Sequence, residues 1–239
     1  MKKLLIFAAF IGAANLADAQ VNLKNLKNAA KTVSPTGATG LSNAEVIDGL
    51  KEALTVGANN AASMASKMDG FNKNPKIKIP FPPEANQVKT TVENMGMKKQ
   101  VDKFVLTVNR AAEEAAKEAA PIFVNAIKSM SVTDGMSLLK GSDDAATRFL
   151  NDKTNTELIA KFKPVVQKAI QKVEVTRYWT PLMTSYNRVP GTQKVNPDLE
   201  EYITLKAIEG LFVLIAEEEL KIRKDPSARV SDLLKKVFG

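Results

Sequence analysis

Apolar residues return every three or four positions along nearly the whole of this chain, and no two stretches alternate in the way that paired β-strands require. A chain with helical stripes and no strand partners buries its apolar surface by packing helix on helix. The expected fold is therefore all-α, a single multi-helix bundle of about eight to ten helices over residues 41–239. The widest stripe lies between Pro197 and Lys224, where Leu199, Ile203, Ala207, Leu211 and Ile215 are flanked by Ile208, Phe212 and Leu214. That width suits a central helix enclosed by the others.

The remaining elements are bounded by local signals. Ser42 and Glu45 stand at capping-box spacing ahead of Val46, Ile47, Leu50 and Leu54, which predicts a helix ending near Met68. Its second half carries Gly57, Ala58, Ala61, Ala62 and Ala65, small enough to admit a neighbouring helix or to line a narrow groove, and close packing is the commoner use. Asp69 to Pro83 holds four prolines, with Ile77 and Ile79 alternating against Lys76 and Lys78, and reads as an ordered, extended connector with room for a short edge strand. Its Phe71 and Phe81 either plug the core or anchor a lid, the core being the first expectation. A short helix from Glu84 to Met95 stops at Gly96, and Lys98 to Met130 is a long one that Pro121 should kink or divide.

Thr133 and Ser142 look like caps of two brief helices separated by Gly141. The run Gly141-Ser142-Asp143-Asp144 lacks the further carboxylates of a calcium loop. Thr154 and Glu157 form a second capping box, with Pro164 kinking that helix or marking its true start. Tyr178, Leu182 and Tyr186 share a helical face beside Trp179. Asn196-Pro197-Asp198 reads as cap, first-turn proline and acid ahead of the central helix, and a short helix over 231–238 docks Leu233, Leu234, Val237 and Phe238 inward.

The first nineteen residues have the zones of a secretory signal peptide: Lys2 and Lys3, the apolar run Leu4 to Ala14, then Ala17-Asp18-Ala19 before Gln20. The apolar run falls short of the roughly 20 residues of a membrane span, and no cysteine follows it to take a lipid. The expected destination is the periplasm or the exterior. Residues 20–40 form a basic amphipathic segment, Leu23, Leu26, Ala30 and Val33 opposing Lys24, Lys27 and Lys31; it serves as a docked terminal helix or, over 21–31, as a membrane-surface anchor.

The chain has no cysteine and no histidine, which removes structural zinc, thiol nucleophiles, imidazole bases and the serine-histidine triad together. No cofactor, no metal and no catalytic residue are expected. The formal charge of +8, about +7 without residues 1–19, favours an anionic partner. No helix concentrates Arg and Lys with interleaved aromatics, so nucleic acid is not expected. Lipid or an anionic envelope polymer suits an exported protein better, with peripheral membrane contact as one route.

Polar chemistry is densest at Asn109-Arg110-Ala111-Ala112-Glu113-Glu114 and at Glu217-Glu218-Glu219 followed by Arg223. Helical spacing pairs Arg110 with Glu113 and Glu114, and Glu219 with Arg223, as surface ion pairs worth a few tenths of a kcal/mol each, roughly. The sharper reading places these groups at the border of a pocket, where an arginine can clamp a carboxylate or phosphate. Candidate ligand-binding residues are Asn109, Arg110, Glu113, Thr147, Tyr178, Tyr186, Glu217 and Arg223. The leading functional expectation is a non-enzymatic binding protein; a carboxylate-dependent hydrolase or lyase acting on envelope polymer is the alternative.

These runs also carry a likeness. Asn109-Arg110-Ala111-Ala112-Glu113, Pro121-Ile122-Phe123, Gly141 with Ala145-Ala146-Thr147, Gly210-Leu211-Phe212, Glu217-Glu218, Ile222-Arg223, Asp225-Pro226 with Ala228-Arg229, and Val237-Phe238-Gly239 together resemble the bacterial exported proteins of domain-of-unknown-function family 4197. Val108 and Phe149 stand where that family more often has methionine and tyrosine. The resemblance implies one exported helical domain in a Gram-negative envelope and carries no activity with it.

Overall fold

The computed structural model describes residues 42–171, 179, 183–184, 187–188, 190–191, 194–196 and 198–238. The expected signal peptide, the amphipathic segment 20–40, and the Tyr178, Leu182 and Tyr186 face lie outside the described residues. Among those described, every regular element is helical and none is a strand. The described residues form seven helices, slightly fewer than the eight to ten expected of the bundle.

Helix α1 (Asn43–Ser66) opens on the expected capping box: the Ser42 side chain accepts from the Glu45 amide at 3.3 Å and Glu45 Oε2 accepts from the Ser42 amide at 2.8 Å. Gly57, Ala58, Ala61, Ala62 and Ala65 are all buried, so the small-residue stripe is a packing surface. It lies against the long helix α6 (Leu199–Lys224). After α1 runs the connector, with Phe71, Ile77, Ile79 and Phe81 buried and Lys76 and Lys78 exposed. Alternation there sorts side chains between core and solvent without any strand pairing.

Helix α2 comprises Asn86–Val92 and Lys98–Ala115, joined through a π turn at Glu93–Met97 whose Gly96 has a positive φ of 82°. Its continuation, α3 (Ala119–Ser129), is separated by a tight turn at Ala116–Glu118. Pro121 therefore divides the long element as expected, and the break falls just upstream, where the proline can give no amide to Lys117.

Three expected helix starts are displaced. Helix α4 (Val132–Leu139) is capped by Ser131 in a capping box with Asp134, and Thr133 sits inside it. Helix α5 (Ala145–Ile170) is one long helix that runs through Pro164 without restarting. Thr154 is buried in its interior and donates to the Leu150 carbonyl at 2.6 Å, so it caps nothing. Helix α6 takes Asp198 as its cap, accepting from the Glu201 amide at 2.9 Å, while Asn196 accepts from the Asp198 amide. In each case a residue with capping chemistry was present in the sequence, but a neighbour one to three places away, or a tertiary partner, took the role.

Helix α6 is central, packed against α1, α2 and α5. The terminal helix α7 (Asp232–Phe238) docks Leu234 against Ala53 and Ile222. No helix among the described residues is long and apolar enough to cross a membrane.

Candidate functional site

The polar runs singled out in the sequence fold into two buried clamps. The first is on α2, where Asn109, Arg110 and Glu113 share a face at three- and four-residue steps. Asn109 is fully buried, and its side-chain amide satisfies both backbone groups of Ile79, accepting from the N–H at 2.9 Å and donating to the carbonyl at 2.8 Å. Glu113, 4% exposed, accepts the amides of Phe71 and Asn72 on one oxygen, each at 3.2 Å, and Arg110 on the other at 2.6 Å. Arg110 reaches on to Asp69 at 2.6 Å. Asp69 has a positive φ of 66°, an unfavourable conformation that this ion pair helps to hold. The connector thus gains from α2 the hydrogen bonds that a strand neighbour would have supplied. It is pressed close: a Cβ at Gly210 on α6 would stand 2.7 Å from the Phe71 ring.

The second clamp is on α6. Glu219, 5% exposed, accepts the amides of Ala146 at 3.1 Å and Thr147 at 2.9 Å, and the Thr147 hydroxyl at 2.8 Å. Those amides are the second and third of α5, so a carboxylate from another helix caps it, in place of Ser142. One turn on, Arg223 holds Glu219 at 2.8 Å and donates to the carbonyls of Leu138 at 2.9 Å and Leu139 at 3.4 Å, the last turn of α4. The pair closes both ends of the α4–α5 corner. Ser142 instead donates to Asp144, while Lys224 pairs with Asp143 and Arg148 with Asp144.

The expected ion pairs Arg110–Glu113 and Glu219–Arg223 both form, but their carboxylates are buried, correcting the surface reading. Burial matters because an unpaired partner would then be left in a medium that solvates it poorly. Glu217 pairs with Lys76 at 2.5 Å, Glu114 with Lys117, and Glu218 with Asn60 and Lys221. Of the named candidates, Asn109, Arg110 and Glu113 come together in one clamp and Thr147 and Arg223 in the other; Glu217 stands apart, and Tyr178 and Tyr186 are outside the described residues.

Hydrogen bonds from Lys73, then Asn72, then Arg110 hold the Asp69 carboxyl well below the usual carboxylate range. Its folded value lies below its unfolded one, so its stabilisation is complete at neutral pH and is lost as pH falls from the ordinary carboxylate range toward the folded value. Asp69→Asn, which tolerates the same backbone conformation, should lower the urea midpoint at neutral pH and flatten its decline in acid. A variant that tracks the native chain throughout the titration would remove Asp69 from this account.

Two adjoining clefts lie between the connector and the outer side of α6. A cleft of about 460 Å³ is lined by Pro82, Trp179, Val195 and Leu205, with Lys194, Lys206, Glu84 and Glu209 also at its walls. A smaller cleft of about 180 Å³ adjoins it and shares Tyr202, Lys206 and Glu209. Burial, then the charges of Glu84 and Glu209, push the Tyr202 hydroxyl up to about 12. Trp179 is 4% exposed, stacked on Phe104 at 6.0 Å and edge-on to Phe81 at 5.7 Å, and its buried indole N–H has no hydrogen-bond partner among the described residues. The sequence reading missed Tyr202, Leu205 and Lys206. Their signal was a second stripe on the central helix, Tyr202, Leu205, Lys206, Glu209 and Val213 at three- and four-residue steps, masked by the stronger buried stripe beside it.

Among the described residues no group of three or more Asp, Glu, His or Cys side chains could hold a metal ion. Against known families, the profile of DUF4197, described as a protein of unknown function, matches residues 40–239. The chain belongs to the DUF4197 family. No curated protein and no solved structure matches it.

Proposed function

We propose that this DUF4197 protein is a non-enzymatic binding protein that takes an amphipathic or anionic ligand into the cleft between the connector and α6. The signal-peptide reading of residues 1–19 supplies the compartment, the cell envelope. One observation carries the reading: a cleft lined by Pro82, Trp179, Val195 and Leu205, with two lysines and two glutamates at its walls, exists where no polar group of the two clamps lines it. Its volume of about 460 Å³ falls in the range of about 300–1,000 Å³ that small-molecule sites occupy.

The hydrolase alternative requires two acids facing one cleft. Glu113, Glu114, Glu217 and Glu218 line neither of these clefts. Glu84 and Glu209 do border the larger, but Glu209 is ion-paired with Lys206 at 2.6 Å and Glu84 is exposed, so neither is desolvated as a glycosidase general acid usually is. The binding reading is favoured. Purified protein from Gln20 onward is expected to show a retained ligand mass in native mass spectrometry, reduced by Leu205→Asn at the cleft mouth. A clean apo mass after gentle extraction, with no retention of lipid or envelope polymer, would count against it.

A further inference from the structure

Charge is divided unequally between the two adjoining clefts. The smaller one has Lys76, Lys78 and Lys206 at its walls against a single carboxylate, Glu209. Lysines and carboxylates are balanced in the larger one, Lys194 and Lys206 against Glu84 and Glu209. Apolar residues line both, Ile77, Ile79, Pro80, Pro83 and Val213 in the smaller and Pro82, Trp179, Val195 and the half-exposed Leu205 in the larger, and the larger has the room for a hydrocarbon chain. Glu84 borders only the larger one, where it would repel an anion. The two clefts adjoin along Tyr202, Lys206 and Glu209, so a ligand in one has the other as its neighbour.

Resting on the binding reading above, we infer that the ligand is a single-chain anionic amphiphile held in one orientation. Its hydrocarbon chain lies in the larger cleft against Trp179, Val195 and Leu205, and its anionic head lies in the smaller cleft beside Lys78. Lys76 and Lys206 have intrachain carboxylate partners in Glu217 and Glu209, whereas Lys78 has none among the described residues. Lys78 is thus the lysine with a charge free for the head. Lys78 is carried by the connector that Asn109 fixes at the next residue, Ile79, so the second cleft depends on the α2 clamp for its shape.

Trp179 is the chain's single tryptophan and lines the larger cleft, so its fluorescence reports occupancy of that cleft directly. The full mature chain would be titrated at low salt with laurate and with lauryl alcohol, equal in chain length and different in charge, both below micelle-forming concentrations. Laurate is expected to shift the Trp179 emission and to bind about tenfold more tightly than the alcohol, the scale of one charge-assisted hydrogen bond. Lys78→Glu, on an exposed side chain, should bring laurate to or below the affinity of the alcohol and leave the alcohol unchanged, while Lys194→Glu in the larger cleft should weaken laurate less. Circular dichroism would verify that each variant is folded. Equal binding of both probes, with no effect of Lys78→Glu, would overturn the head placement while leaving the binding reading intact. Failure of both probes to perturb Trp179 would overturn the two together.

Discussion

Replacing Glu219 by Gln is expected to destabilise the protein by about 3–5 kcal/mol, although the side chain keeps its shape. The carboxylate serves donors on both oxygens: Ala146 and Arg223 on one, the Thr147 amide and hydroxyl on the other. A glutamine offers an acceptor at only one of these positions and directs an NH₂ at the other set of donors in either rotamer. Arg223, 12% exposed, would be left with its charge facing a donor and only the α4 carbonyls to answer it. For a chain of this size the loss corresponds to a fall of roughly 10 °C in melting temperature. Glu217→Gln, two residues away, breaks a pair whose lysine is 63% exposed and should cost less than about 1 kcal/mol. Amide exchange at Ala146 and Thr147 should accelerate in the Glu219 variant ahead of the helix interior. Equal melting temperatures for the two variants would show that Glu219 does not cap α5.

The contrast between those two glutamates also marks where sequence reasoning succeeded. The helical class, the buried stripe of α6, the α1 capping box and the division before Pro121 were legible because each depends on spacing or on residues within a few positions of one another. Glu217 and Glu219 look alike in the sequence, and only the fold puts one against Lys76 and the other against the start of α5. The same limit explains Thr154, whose capping chemistry is complete on paper but whose hydroxyl bonds its own helix because α5 already begins at Ala145. The candidate list was built from polar density, and polar density in a helical protein with a long irregular connector also collects where backbone must be satisfied. The cleft was missed for the opposite reason. Tyr202, Leu205 and Lys206 are a sparse stripe, and nothing within α6 shows that the connector arrives to make the opposing wall.

That connector gives the second large effect. Glu113→Gln can still accept the Phe71 and Asn72 amides on its one oxygen, but its NH₂ would then meet the Arg110 guanidinium, donor against donor. The loss is expected at about 2–4 kcal/mol, with the lost Arg110–Glu113 pair and the donor conflict that replaces it as the main component. Arg110→Met on its own removes the pair from the other side and leaves Asp69 with Lys73 and Asn72 alone. If the donor conflict is the cause, the double variant should be more stable than the sum of the two single losses by at least about 1 kcal/mol, because the methionine removes the group that the glutamine opposes. Strict additivity in urea denaturation would place the cost in the amides of Phe71 and Asn72 instead. The cycle bears on function too, since the same clamp fixes the wall that carries Lys76 and Lys78. Glu113→Gln should therefore weaken laurate binding at temperatures where the protein is still folded, and Arg110→Met in the same chain should restore part of it.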